Sequence, residues 1–271
     1  MNDAVLFDVQ DGVATMTLNE GERLNPLTQS LLQGLLGGLR RVREDPNIRA
    51  LLLTAHGRGF CVGADLQEFG RRAADPASGT LSDYVGQLLR EQASPIMLEM
   101  RALPVPVVCA INGVAAGGGV GLALSGDMVL AARSAYFYLP FMPSLGLVPD
   151  MGSSWLVPRA VSPARALGLA LTGEKLDAQR AAEWGLIWAC TDDEILQEAA
   201  RALALRLARL PSHAILEARA LASAAGRNSL EQQLILECER QQALIDGDSF
   251  AEGVRAFAER RPPVFVGRRN A

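Results

Sequence analysis

The chain has 271 residues, 49% hydrophobic and 21% charged, enough apolar material to bury a large core. Its net charge of −4 excludes the concentrated basic surface that bulk nucleic-acid binding requires. Apolar runs break well before the ~18 residues of a membrane span, and MNDAVLFDVQDGVATMTL lacks a basic segment leading into an apolar one, so a cytoplasmic protein is expected, with no membrane partner.

VLFDVQDGVATMTL alternates apolar residues about Asp11-Gly12 and reads as a β-hairpin. After Asn25-Pro26, TQSLLQGLLGGLRRVRED carries leucines at helical spacing and stops before Pro46. IRALLLTA reads as a buried strand, HGRGFCVGADLQEFG as a loop, and RRAADPASGT has the composition of a mobile surface segment. Helical spacing returns in LSDYVGQLLREQASPIMLEMRAL and ends at Pro104 and Pro106. VVCAI is a strand running straight into the glycines of INGVAAGGGVGLALSGDM, and DMVLAA and AYFYL are further short strands. A strand, strand, helix unit thus recurs about three times before residue 150, which predicts a layered or spiral α/β core. From about residue 160 the chain is mostly helical: ARALGLALTG, DAQRAAEWGL, EILQEAARALALRLARL and SLEQQLILECERQQALI. Apolar residues on several of these helices exceed one face, which fits packing between subunits or burial within one chain. The expected division is a core over residues 1–200 and a helical region over 201–271.

Cys61, Cys109, Cys190 and Cys238 show no CxxC spacing, three of them lie in apolar surroundings, and free thiols are expected. His56 and His213 stand far apart, neither in HExxH, so no metal site is expected. Lys175 is the only lysine; the other basic residues are arginines, whose planar fork suits phosphate.

Gly117, Gly118 and Gly119 follow a strand and open an apolar helix, where each glycine costs about 1 kcal/mol relative to alanine. N–H groups at a helix start have no intrahelical acceptor and suit a small anion or a developing oxyanion, while close helix packing is the other use of bare backbone. A dinucleotide fold would need a third glycine, but Gly119-Val120-Gly121 runs into Leu122-Ala123-Leu124. FCVGAD, residues 60 to 65, is a second bare turn near a strand end, and two such turns can meet over one oxygen atom.

LLLTAHGRGFCVGADLQEF and VVCAINGVAAGGGVGLALSGDM resemble the two signature segments of the crotonase, or enoyl-CoA hydratase/isomerase, superfamily. The resemblance continues through SLGLVPDMGSSWLVPRAVSPARALGLALTGEKLDAQRAAEWGLIW and EGVRAFAERRPPVFVGR, covering nearly the whole chain in order. It implies an α/β spiral of repeated ββα units with a C-terminal helical region that trimerises, often as a dimer of trimers. It implies an acyl-CoA substrate, with coenzyme A as part of the thioester and no separate cofactor. The thioester carbonyl would be held by the Ala64 and Gly118 N–H groups, with Gly63, Asp65, Leu66 and Gly117 beside the substrate. Losing one such donor typically costs ~3–4 kcal/mol of enolate stabilisation.

Hydratases of this family carry two glutamates; here Gly121 stands at the first of those positions and Met142 at the second. Neither can activate water or deliver a proton, so hydration would need another acid, with Asp150, Glu68 or Asp65 as the candidates. Asp150 in GLVPDMGSSW stands at the position similar to the single catalytic carboxylate of many enoyl-CoA isomerases, including ring-epoxide types. One carboxylate is enough to move a proton between two carbons. Asp150 could instead cap the following helix. A related dehalogenase uses the same aspartate with a histidine and a tryptophan, but Ser94 and Met142 stand at those places. Loss of the acids would leave a non-catalytic acyl-CoA binder. Arg23 resembles a basic position near the CoA phosphates, and Arg260 and Arg261 resemble basic positions that reach a neighbouring subunit's CoA; a solvated surface role is the alternative for each. Tyr136, Phe137, Tyr138, Phe141 and Met142 line the acyl pocket or fill the core.

Overall fold

Asp11 and Gly12 take φ of 54° and 76°, turning β1 (Val5–Gln10) into β2 (Val13–Leu18), which pair antiparallel from Val5 opposite Leu18 to Gln10 opposite Val13. Two consecutive left-handed residues match the twist of the flanking strands. The computed structural model describes residues 4–266 apart from 76 and 78. Thr28 caps α1 (Gln29–Glu44) by accepting from the Leu31 N–H, and Leu31, Leu32, Leu35, Leu39 and Val42 form its buried face. β3 (Ala50–Ala55) is buried at every residue, as a strand between parallel neighbours must be.

The stretch read as a loop contains β4 (Gly59–Cys61) and α2 (Leu66–Ala74); three residues are too few to show a strand's alternation. α3 (Leu81–Leu88) continues through π-helical residues Leu89–Ala93 into α4 (Ser94–Ala102). β5 (Val107–Ile111) is followed by β6 (Val114–Ala116), so a second short strand separates VVCAI from α5 (Gly118–Ala123). Then come β7 (Met128–Ala132), β8 (Tyr136–Tyr138), α6 (Phe141–Leu145), α7 (Ser153–Val161), α8 (Pro163–Thr172), β9 (Leu176–Asp177), α9 (Ala178–Glu183) and β10 (Ala189–Thr191).

The repeated unit is thus β3-β4, β5-β6 and β7-β8, each with its helices. The first strand of each pair enters a six-stranded sheet ordered β1-β2-β3-β5-β7-β10, and the second enters a four-stranded sheet ordered β4-β6-β8-β9. Every turn of the chain therefore adds one strand to each sheet, which is the expected ββα spiral. α5 packs against β4 and β6 of the smaller sheet and β5 of the larger.

α10 (Leu196–Leu207) packs on β3, β5 and β7 with Leu196, Ala200, Leu203 and Ala204 buried. Ala200 thus lies within a helix that packs on the larger sheet. α11 (Ser212–Ala225), α12 (Leu230–Ile245) and α13 (Asp248–Ala258) complete the described chain. α12 buries none of its residues and exposes Leu230, Leu234 and Ile235; α13 exposes Phe250, Val254 and Phe257. Arg219 fastens α11 to the core by donating to the Asp127 carboxylate and to the carbonyls of Arg101, Leu103 and Val105.

Cys61 and Cys109 are in the core and Cys190 packs against it. Burial pushes the Cys61 and Cys109 thiols up to about 12, Cys190 is half-buried and Cys238 is exposed. Among the described residues no group of three or more His, Cys, Asp or Glu could hold a metal, and no helix is long and apolar enough to cross a membrane.

Candidate active site

β4 and β6 are parallel neighbours, so their carboxyl ends deliver the two bare turns to one place. Gly63 takes φ +81°, and a β-carbon on it would lie 2.8 Å from the Ala116 carbonyl oxygen and 3.0 Å from the Gly118 nitrogen. Only glycine lets the turns touch. The Gly117 N–H donates to the Tyr138 carbonyl at 2.9 Å, and Gly118 then opens α5. Among the described residues neither the Ala64 nor the Gly118 N–H donates to another group. Two such donors side by side can hold one oxygen that gains negative charge.

The Ala64 turn rests on the segment Glu20–Thr28. Val62 N–H donates to the Leu24 carbonyl at 3.1 Å, Leu27 N–H donates to the Gly63 carbonyl at 2.8 Å, and Leu27 bridges Ala64. Asn25, fully buried, donates through Nδ2 to the carbonyls of His56 and Gly59, both at 3.0 Å, and accepts the Glu20 N–H at 2.8 Å. Leu24 and Asn25 take φ of 61° and 53°, a strained conformation outside glycine that these bonds hold in place.

Asp65 accepts from Arg23 Nη2 at 2.7 Å through Oδ2, and from the N–H groups of Gln67 and Glu68 at 3.1 and 3.3 Å through Oδ1. Burial pushes its carboxyl up, but the Arg23 bond and the two N–H donors outweigh this and hold it below the usual carboxylate range. The pair edges a cleft of about 300 Å³ that Leu27, Phe69, Tyr84 and Leu88 help to line. Leu66 is exposed at the start of α2.

Asp150 is followed by Met151 and Gly152, both left-handed at φ 48° and 72°. This turn carries the carboxylate to the glycines: a β-carbon on Gly118 would lie 3.2 Å from Asp150 Oδ1, 3.0 Å from Leu27 Cδ1 and 2.9 Å from Met151 Cγ. Oδ1 is buried with no hydrogen-bond partner among the described residues. Burial pushes this carboxyl up to about 6, with only its own backbone N–H acting the other way. Asp150 does not cap the next helix. Gly152 occupies the cap position of α7, and Ser153 donates its N–H and hydroxyl to the Asp150 main-chain carbonyl at 2.9 and 2.6 Å.

Gly121 packs face to face with the same turn. A β-carbon there would overlap the Met151 carbonyl oxygen and lie 2.9 Å from Met151 Cβ, so α5 leaves no room for a side chain at this position. Met142, at the other hydratase position, is exposed on α6, whereas its neighbour Phe141 is buried with its ring 3.8 Å from where a Gly117 β-carbon would stand.

Asp150, Gly63, Ala64, Gly117 and Gly118 therefore converge, and Arg23 and Asp65 join them as a bonded pair. Tyr138 contributes its carbonyl, while its ring lies toward Gly173, 3.6 Å from a β-carbon built there. Arg261 is bound within the C-terminal segment by Glu252 and Glu259, and Arg260 sits beside it in a left-handed turn at φ 52°. Leu27, Met151 and Asn25 carry much of the geometry without having been singled out; the Asn25-Pro26 dipeptide was the one available signal.

The profile of the family described as enoyl-CoA hydratase/isomerase matches residues 8–268. The chain belongs to this family. It is 44% identical to the 1,2-epoxyphenylacetyl-CoA isomerase of Escherichia coli (strain K12), over 99% of this chain and all of that one. It is 35% identical to the trans-2-decenoyl-[acyl-carrier-protein] isomerase of Streptococcus mutans, over 97% and 98% of the two chains. The crystal structure of enoyl-CoA hydratase from Bacillus anthracis superimposes with a TM-score of 0.88 at 31% identity, covering 98% of this chain and all of that one. As an enoyl-CoA hydratase/isomerase family member, the chain is an acyl-CoA-processing enzyme of the crotonase fold.

Proposed function

We propose that this enzyme is an isomerase with one acid/base, Asp150, acting on a thioester whose carbonyl oxygen is held by the Ala64 and Gly118 N–H groups. The observation that carries the reading is the orphaned Oδ1 of Asp150 lying against Gly118. A carboxylate near pKa 6 is ionised at neutral pH yet close enough to titration to both accept and return a proton. It removes a proton beside the thioester carbonyl, the two N–H groups hold the enolate or dienolate oxygen, and the same carboxyl returns the proton further along the acyl group. The 44% identity to an epoxyphenylacetyl-CoA isomerase supports a ring-epoxide or double-bond substrate.

A hydratase needs a second acid. Glu68 is held by Arg71 and Arg72 at 2.8 and 2.7 Å, and Asp65 by Arg23, so neither stands ready for that role. The exposed apolar faces of α12 and α13 support a trimer or a dimer of trimers. A cytoplasmic location, and coenzyme A present only as part of the substrate, belong to the same proposal and rest on the family resemblance.

The test is incubation of 3-enoyl-CoA, 2-enoyl-CoA and ring-epoxide acyl-CoA esters in deuterated water. Double-bond or ring isomerisation is expected, with deuterium entering at exchangeable carbons, and crotonyl-CoA is expected to keep its conjugated absorbance. Loss of that absorbance would mean hydration, and binding without exchange would mean a non-catalytic protein.

A further inference from the structure

The Ala64 N–H belongs to the Gly63–Ala64 peptide, and because a peptide unit is planar and trans, the direction of that N–H is fixed by whatever holds the Gly63 carbonyl. Leu27 N–H holds it, at 2.8 Å. The segment that contains Leu27 grips the turn at two other points: Leu24 accepts from Val62 just before it, and Arg23 bonds Asp65 just after it. Three anchors from five consecutive residues bracket one peptide plane. Two of them are main chain to main chain; only Arg23–Asp65 is made by side chains.

Asp65 is shaped for this role. Oδ2 reaches back to Arg23 while Oδ1 faces forward to the N–H groups of Gln67 and Glu68, so the residue after Ala64 is tied to the Glu20–Thr28 segment and to α2 at once. Its side chain is 9% exposed, against 47% for Arg23. Both oxygens are engaged by the protein.

We infer that Asp65 is a positioning residue that, locked by Arg23, sets the orientation of the Ala64 N–H toward the substrate oxygen. The inference rests on the proposed role of that N–H. Arg23 on this reading acts on the enolate-holding turn and not only on the phosphates of coenzyme A.

Asp65→Asn keeps the size and the helix-capping oxygen while removing the charge that holds Arg23; Arg23→Met removes the other partner and tests the same link from a half-exposed position. Each variant and the double variant would be assayed for kcat and KM with an acyl-CoA and with the matching N-acetylcysteamine thioester, which has no phosphates. The fraction of bound acetoacetyl-CoA present as enolate, read by near-ultraviolet absorbance, reports the donor directly, and a thermal unfolding curve shows that each variant is folded.

Each single variant is expected to lower kcat and the enolate fraction about tenfold, with both thioesters, and the double variant to be no worse than either. Unchanged kcat and enolate fraction in Asp65→Asn would overturn the inference, as would an Arg23→Met effect confined to KM for the full CoA ester. If Asp65→Asn fails to fold, Arg23→Met carries the same test. Wild-type enzyme that binds acetoacetyl-CoA without enriching its enolate would overturn the N–H assignment itself, a result distinct from a wild-type enolate that the variants leave intact.

Discussion

The turns that end β4 and β6 and the turn that carries Asp150 touch one another and are built by opposite rules. The first two are bare and held by surrounding bonds: Gly63 and Gly117 supply conformational freedom, and Val62, Gly63 and Gly117 all have main-chain partners. The third contains a non-glycine left-handed residue, Met151, and a buried carboxylate oxygen that accepts from no group among the described residues. Rigidity is concentrated where an electrostatic cradle needs fixed dipoles, and an unsatisfied group is kept where a proton has to come and go.

The largest test of that contrast removes the unsatisfied group. Asp150→Asn is expected to lower kcat about a thousandfold, the scale of a lost general base. The same change should stabilise the fold. The folded carboxyl sits at about 6 against 3.8 unfolded, so the folded state prefers the proton, and the contribution of Asp150 to stability is most favourable below about pH 4 and declines as pH rises toward 6. Urea unfolding at pH 7.5 should show the asparagine variant more stable by up to about 2 kcal/mol, with the gap closing near pH 4. Equal stabilities at both pH values would mean that Asp150 is not held out of water.

A second test presses the two kinds of turn together. Gly121→Ala is expected to cost about 2–3 kcal/mol of stability, because its methyl group overlaps the Met151 carbonyl and must move the Asp150 turn. Gly121→Glu should therefore fail to gain crotonyl-CoA hydration. A stable, hydrating Gly121→Glu would show that the turn is far softer than its packing indicates.

The smallest effect is in the pH profile. Isomerisation kcat/KM should fall about tenfold per unit below about pH 6 and level off above it, since Asp150 must be ionised to take the proton. Asp65, held below the usual range by Arg23 and the α2 N–H groups, should leave no limb in that region. The residual activity of Asp150→Asn should lack the limb entirely.

The hairpin at Asp11-Gly12, the leucine face of α1 and the strands β3 and β5 were legible because each carries its own periodicity or turn chemistry. β4 and β6 were not, since three residues have no period and their existence depends on pairing with each other. α11 and α13 were likewise passed over as separate helices; Arg219 ties the first to the core and Glu252 ties the second to the segment that follows it. In the site, Gly118, Ala64 and Asp150 could be picked out by position. What Asp150 does was not decidable from PDMGSS, which also suits a helix cap; the left-handed Met151 and Gly152 move the cap to Gly152. Nor could the sequence say that Asp65 and Arg23 engage each other, because their 42 positions of separation close only in three dimensions.

Arg219 has a bearing on how the chain is made. The carbonyls of Arg101, Leu103 and Val105 and the carboxylate of Asp127 receive their donor from a residue more than 90 positions later in sequence. A nascent chain emerging amino end first can assemble both sheets before that guanidinium exists, and must wait for α11 to secure the approach to β5. Stalled or truncated products ending before residue 219 would carry a finished-looking spiral with an open seam, a ready substrate for chaperones and proteases.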